Sequence, residues 1–411
     1  MNCFTRPFTS MQALFRSKNF LLIWLTSIAD NLSLGILLNV QSWYVVDTLH
    51  MKERFGLVMV ASSIPRLGLM LFGGVIADRL PKVKIMTVTF CLRVLVMACA
   101  AFMFWSNSMS IGKLIVIVAL FGMLDAFFWP SRDALIPSVV DDEHLTQANT
   151  VMQATNQIGL IVGPALGGLL QLGFPLFISY LFTAGLMAAG AGMIGSVKER
   201  IVPAKRHAMN QLASLQEGLR YVLSNQVLRT QILIYVVANL LFTGAVTIGI
   251  PIIASEHLTY GARGLSYLQS IYACGMVLGF ALLLKFPPRK KRIALICGLI
   301  VIEGVLVALQ GISYSLPLSM ALQLLLGFCV ACNNVPMLSV LQQYTDRDKL
   351  GRVMSINSVS SMGLSPVSYA IVSSLIAGGA SIGLIMPLFG LAMSIIVGIM
   401  ALASPVVRNT D

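Results

Sequence analysis

The chain has 411 residues, 57% of them hydrophobic and only 11% charged, with a formal net charge of +12. A soluble domain carries roughly 25% charged residues, so these few could not cover a water-facing surface of this size. Apolar runs of about 20 residues, the length a spanning helix needs, recur with short polar breaks. Backbone in lipid must satisfy its own hydrogen bonds, which selects helices, and continuous rather than alternating runs exclude a transmembrane barrel.

Arg6, Arg16 and Lys18 precede the first apolar run. That run reaches about Val46 without a small-residue cleavage site, so it reads as a retained first helix and not a signal peptide. Hydropathy predicts spans at 19–46, 55–77, 83–105, 112–134, 147–172 and 174–196. A second set follows at 229–254, 265–286, 292–311, 317–342, 352–377 and 380–404. The expected fold class is an all-α membrane protein with twelve transmembrane helices in two six-helix bundles. Residues 1–196 form the N-terminal bundle, 197–228 a cytoplasmic linker and 229–411 the C-terminal bundle. Within the linker, QLASLQEGLRYVL (211–223) has helical periodicity and mixed polarity, which predicts a short amphipathic helix along the membrane surface.

Lys and Arg set the orientation. With both termini in the cytoplasm, the cytoplasmic loops and tails hold 22 of the 28 basic residues. The opposite loops hold Lys52, Arg54, Lys113 and Arg263, and Arg66 and Arg93 fall inside spans. This positive-inside bias accounts for the net charge without a nucleic-acid partner, the basic loops lying against anionic headgroups. A bacterial inner-membrane location and a monomer are expected. Each half has a polar connection between its fourth and fifth spans, WPSRDALIPSVVDDEHLTQAN and VPMLSVLQQYTDRDKLGRVM, about half the chain apart as an internal repeat requires. Six of the seven cysteines lie inside apolar runs. Cys329 and Cys332 read as small interface residues and not as a metal or redox pair.

Two motifs stand out. Gly74, Asp78, Arg79, Pro81, Lys82 and Lys84 occupy the turn between the second and third spans. Gly159, Gly163, Pro164, Gly167 and Gly168 mark the fifth span, where glycines at helical spacing make a smooth packing face and the proline permits a bend. These motifs resemble G-x-x-x-D-R-x-G-R and G-x-x-x-G-P-x-x-G-G of the major facilitator superfamily, the second being associated there with antiporters. Pro130-Ser-Arg132-Asp-Ala-Leu-Ile-Pro137, followed by Leu145-x-x-Ala148-Asn149, is similar to the branch of drug:proton antiporters that holds macrolide and enterobactin exporters. The sequence departs from the signature at Pro81, where the family usually has Gly, and at Val83, which is often basic. The fourth span also lacks the mid-span Arg of many proton antiporters.

The resemblance implies two six-helix bundles that rock around a central cavity. It implies a conformational latch in which Asp78 meets Arg352 at the start of the eleventh span, with Gly74, Arg79 and Lys82 beside it. It further implies that the glycine face of the fifth span packs against the eighth.

Charges inside spans are costly and therefore functional suspects. Asp30 lies near the middle of the first span, Arg66 in the second beside Pro65, Arg93 in the third, Asp125 in the cytoplasmic half of the fourth and Glu303 in the ninth. Cavity-lining spans favour Asp30, Arg66 and Asp125 as substrate and proton-coupling residues. Arg93 and Glu303, on peripheral spans, are open between structural pairing and snorkelling. Arg66 is expected to attract an anionic group as a fixed counter-charge. Asp30 is expected to be its partner or a proton carrier, and a purely structural Asp30–Arg66 pair is the alternative. No phosphate-cradling motif or catalytic set is present, so neither an enzyme nor an ATP-driven pump is expected, and no cofactor or metal. The expected function is secondary, proton-coupled efflux of a small amphipathic or anionic molecule such as a drug, macrolide or siderophore. Uptake of a siderophore or metal complex, and lipid flipping, remain alternatives. The expected partners are a small-molecule substrate, the proton and the lipid bilayer.

Overall fold

The computed structural model describes residues 14–140, 145–199, 211–258, 260–286, 288, 291–346, 349, 353, 356–357, 360, 363–405 and 407. These residues are almost wholly helical. In chain order the helices are α1 (Lys18–Trp43), α2 (Lys52–Arg79), α3 (Lys82–Trp105), α4 (Ile111–Val139), α5 (Leu145–Gly173) and α6 (Leu176–Gly195). The amphipathic α7 (Gln211–Ser224) follows, and then α8 (Gln226–Ile252), α9 (Gly261–Lys285), α10 (Arg292–Gly311), α11 (Leu316–Gln343), α12 (Ser365–Ala377) and α13 (Ile382–Ala403). Among the described residues, nine helical segments are long and apolar enough to cross a membrane, and α12 is a shorter apolar helix. Large apolar side chains such as Leu95, Phe102, Leu384 and Leu402 point outward, a surface that suits acyl chains and would be untenable over this area in water.

Local chemistry sets the helix ends. The Ser110 hydroxyl accepts from Lys113 N at the start of α4. The Asn225 carboxamide accepts from Val227 N and Leu228 N at 3.0 and 3.2 Å and so separates α7 from α8. Both satisfy amides that a helix start leaves without partners. α1 and α8 each end in a π-helical turn, Tyr44–Thr48 and Ile253–His257. The fourth helix runs to Val139, through Pro130 and Pro137, and so exceeds its predicted end. Of the eleventh predicted span, the described continuous helix begins at Ser365.

The chain divides into two compact units. Unit 1 comprises residues 1–41 and 61–205, and unit 2 residues 42–60 and 206–411. In unit 1, α3 packs along α6 and α4 around Phe20, Ile36, Phe90, Met97, Phe128, Tyr180 and Met187. In unit 2, α10 packs along α13 and α11, α9 along α11, and α8 along α12 and α13. Its cores gather Ile234, Ile296, Ile300, Met337 and Met393 in one cluster and Val222, Leu228, Leu341 and Val353 in another. The third helix thus lies on the sixth in unit 1, and the corresponding α10 lies on α13 in unit 2. A duplicated six-helix plan produces this pairing twice.

Within unit 2, Lys52 at the start of α2 pairs with Glu256 at 2.5 Å. The Ser255 hydroxyl donates to Asp47 at 3.0 Å, joining the two π turns.

Candidate functional site

The seam between α1 and α5 shows how sequence spacing builds the site. Gly159, Gly163 and Gly167 recur every four residues on α5, and Asn31, Gly35 and Asn39 do so on α1. Such i±4 rows are the ridges that interdigitate between crossing helices. A Cβ at Gly163 would lie 2.7 Å from the Gly35 Cα, and one at Gly35 would lie 2.7 Å from Pro164 Cδ, so only glycine permits this approach. Three polar rungs flank it. Trp24 Nε1 donates to Thr155 at 2.7 Å, Asn31 Nδ2 to Asn156 Oδ1 at 3.1 Å, and Gln171 Nε2 to Asn39 Oδ1 at 2.6 Å. Within unit 1, these three glycines are packed against α1 through matched four-residue rows.

Asp30, next to this seam, is buried together with Arg93 and Asp125. Arg93 Nη1 donates to Asp30 Oδ1 at 2.5 Å and Nη2 to Asp125 Oδ1 at 2.6 Å. One guanidinium fork thus ties α1, α3 and α4 together, which only an Arg can do with two parallel donors. Phe90, Phe121 and Phe128 surround its cation, with ring centroids 5.7, 5.0 and 5.2 Å from Cζ. Their negative ring faces stabilise the charge that water has left. Arg66 Nε of α2 reaches Asp125 Oδ2 at 2.9 Å, but without hydrogen-bond geometry, so that oxygen has no donor. Asp30 Oδ2 and Arg93 Nε are likewise buried without a hydrogen-bond partner.

Asp30, Arg66, Arg93 and Asp125 each lie within one residue of the midpoint of their helices. They form one charged layer, with two acids balancing two bases. Nearby, Arg132 is 4% exposed. Its guanidinium donates to Asn156 Oδ1 at 3.0 Å and to Asp133 at 3.0 and 2.7 Å, and stacks 4.1 Å over Trp129. Asn156 therefore joins Arg132 to Asn31, one residue from Asp30.

Two sequence expectations are corrected here, and one reading left open is decided. Asp30 pairs with Arg93 and not with Arg66, because the α3 guanidinium points inward between α1 and α4. Of the two readings open for Arg93, structural pairing fits: it is fully buried and is the hub. Asp125 lies at the middle of α4 because that helix is longer at its C-terminal end than hydropathy indicated. Arg132, in sequence a motif residue near the predicted end of the fourth span, lies inside α4 and is buried. Of the expected latch, Arg352 lies outside the described residues, as do the surroundings of Gly74 and the side chains of Asp78 and Arg79 in α2. Lys82 pairs with Glu199 at 3.2 Å, and the same carboxylate accepts from Val83 N. Cys332 sits against the Gly279 carbonyl at 3.8 Å as a packing thiol. Among the described residues no group of three or more His, Cys, Asp and Glu could hold a metal.

The family model described as Major Facilitator Superfamily matches residues 23–367. The chain belongs to the major facilitator superfamily. It is therefore a multi-pass integral membrane protein and a secondary transporter of a small molecule, not an enzyme. It is similar to the multidrug efflux pump Tap of Mycolicibacterium fortuitum, at 24% identity over 95% of this chain and 97% of that one. It is also similar to macrolide efflux protein A of Streptococcus pyogenes, at 24% identity over 77% of this chain and 80% of that one. The superfamily fold is shared with a solved POT family transporter bound to a thioalcohol-conjugated peptide, with a TM-score of 0.73 at 12% identity, covering 95% and 96% of the two chains.

Proposed function

We propose that the chain is a proton-coupled efflux transporter for a small amphipathic molecule, working by alternating access in a bacterial inner membrane as a monomer with both termini cytoplasmic. The observation that carries this reading is the balanced layer of Asp30, Arg66, Arg93 and Asp125. Buried ion pairs are poor net stabilisers compared with apolar packing, so the buried Asp30, Arg93 and Asp125, with Arg66 at their edge, are better accounted for by transport than by stability. Similarity to multidrug and macrolide efflux proteins supports the direction. The glycine and proline residues Gly159 to Gly168 hold α5 against α1. The turn carrying Gly74, Asp78, Arg79 and Lys82, with Arg352, is proposed as the conformational latch. Residues 1–196 and 229–411 are proposed as the two moving bundles.

Charge balance separates the cargo classes. The layer is neutral with both aspartates ionised. A protonated amine on the cargo competes with the proton for Asp30 and Asp125, so cargo and proton bind in turn and move in opposite directions. An anionic cargo drawn to Arg66 leaves Asp125 free to take a proton, so the two bind together and move in one direction. The accessible position of Arg66, 19% exposed against none for Arg93, favours this second mode, uptake of an anion such as a siderophore, as the alternative.

Everted vesicles with an imposed pH gradient test the reading. A macrolide-like amine should dissipate the gradient and accumulate, a siderophore-like carboxylate should not, and Asp30→Asn should abolish the effect. Accumulation that ignores the gradient, or that survives unchanged in Asp30→Asn, would refute proton coupling through this residue.

A further inference from the structure

The third helix of each half carries one buried charge at the same register. Arg93 is the twelfth residue of α3, counted from Lys82, and Glu303 is the twelfth of α10, counted from Arg292. Their surroundings differ in kind. Arg93 has two carboxylates. Glu303 is 4% exposed, and no ion pair involves it among the described residues. The titratable neighbours that interact with it are Tyr272 of α9 and Cys329 of α11, neither of which is a cation at neutral pH. α10 itself adds Cys297, and its Arg292 is eleven residues away at the helix start, held by Gln343. α8 contributes Tyr235, and Arg229 only near its own start. α13 has no titratable residue, and its Gly390 and Ser394 close over Gly304.

Among the described residues, the polar group that hydrogen-bonds Glu303 is Asn333 of α11. Its Nδ2 donates to Glu303 Oε1 over a long 3.4 Å, while its Oδ1 is buried with no donor. A carboxylate can only accept hydrogen bonds, whereas a carboxylic acid also donates one. With Glu303 ionised, a buried charge lacks a cation among the described residues and the buried Asn333 amide oxygen lacks a donor. A proton on Glu303 removes both defects, because its O–H can serve Asn333 Oδ1 while the amide N–H serves the acid carbonyl. Reversing the assignment of the Asn333 amide does not remove the need. An amide oxygen facing Glu303 would then require the acid proton still more directly, and two acceptors cannot share a contact without one.

We propose that Glu303 is a proton-binding site in unit 2, separate from the charged layer of unit 1, in which a neutral carboxylic acid forms a reciprocal acid–amide pair with Asn333. The ligand is the proton itself. The contrast between the halves then has a simple reading: the same helix position is neutralised by counter-ions in one unit and by protonation in the other.

Infrared difference spectroscopy on purified protein in lipid nanodiscs tests this without any cargo, so its outcome is independent of the efflux reading. At neutral pH the wild type should show a protonated-carboxyl stretching band that is absent from Glu303→Gln and retained in Asp30→Asn. Asn333→Leu should shift the band, since its hydrogen-bond partner is gone. Identical spectra for wild type and Glu303→Gln would overturn the proposal. Melting temperature provides the second measurement. Glu303→Gln exchanges one neutral group for another of the same shape and should melt with the wild type. A clear rise would mean that an ionised Glu303 had been relieved of its desolvation, and would also overturn it.

Discussion

Replacing Arg93 by methionine removes the fork that joins α1, α3 and α4 while leaving an apolar side chain among Phe90, Phe121 and Phe128. Two charge-assisted hydrogen bonds, at 2.5 and 2.6 Å, are lost together. Such bonds contribute about 1.5–3 kcal/mol each, or about 3–6 kcal/mol for the two, in line with about 3–5 kcal/mol for breaking a buried pair by removing one partner. The cost falls on Asp30 and Asp125, which are left in a buried layer without that cation. Thermal melting in nanodiscs should rank Arg93→Met far below the wild type. The triple variant Arg93→Met, Asp30→Asn, Asp125→Asn should recover most of the loss, because removing a whole buried network is close to neutral. Equal melting of Arg93→Met and wild type would refute the assignment of Arg93 as the hub. Failure of the triple variant to recover would refute the claim that stranded carboxylates, and not lost packing, carry the cost.

Arg66→Gln should leave melting within about 1 kcal/mol of wild type, since its ion pair is partly exposed and lacks hydrogen-bond geometry; the same variant should lose gradient-driven transport in everted vesicles. Gly163→Val should lower stability by about 1–3 kcal/mol through overpacking against Gly35, whereas Gly192→Ala, which meets nothing within 4 Å, should be tolerated; comparing their yields in the membrane and their melting checks this. Lys82→Ala should cost under about 1 kcal/mol, as its pair with Glu199 is reached by solvent, and a larger loss of melting temperature would count against that reading.

Hydropathy alone located the helices, because a spanning segment must be long, apolar and continuous, and these requirements are written into composition. Its errors fall where polarity misleads. The C-terminal end of α4 looked like a loop because Arg132 and Asp133 are charged, yet Arg132 turns inward to Asn156 and Trp129. The charged layer was legible as a list of residues but not as a network. Asp30, Arg66, Arg93 and Asp125 sit at helix midpoints, which places them at one depth, but helical rotation decides which guanidinium faces which carboxylate. A peripheral helix still turns one face into its own bundle, which is how Arg93 of α3 reaches Asp30 and Asp125. The α1–α5 seam was readable in principle, since Asn31, Gly35 and Asn39 repeat the period of Gly159, Gly163 and Gly167.

The neutrality of the layer in unit 1 also bears on membrane voltage. Two aspartates and two arginines sum to zero, so displacing the intact layer across the bilayer moves no net charge and does no electrical work. One proton on Asp30 changes the sum to plus one, and an elementary charge crossing the whole membrane responds to the potential with about 2.3 kcal/mol per 100 mV. In the proposed cycle the protonated step is thus one a resting potential can drive, and the deprotonated step carries only the charge of the cargo. A current recorded across a planar bilayer should therefore appear with a neutral cargo, and one-for-one exchange of a proton for a protonated amine should carry none.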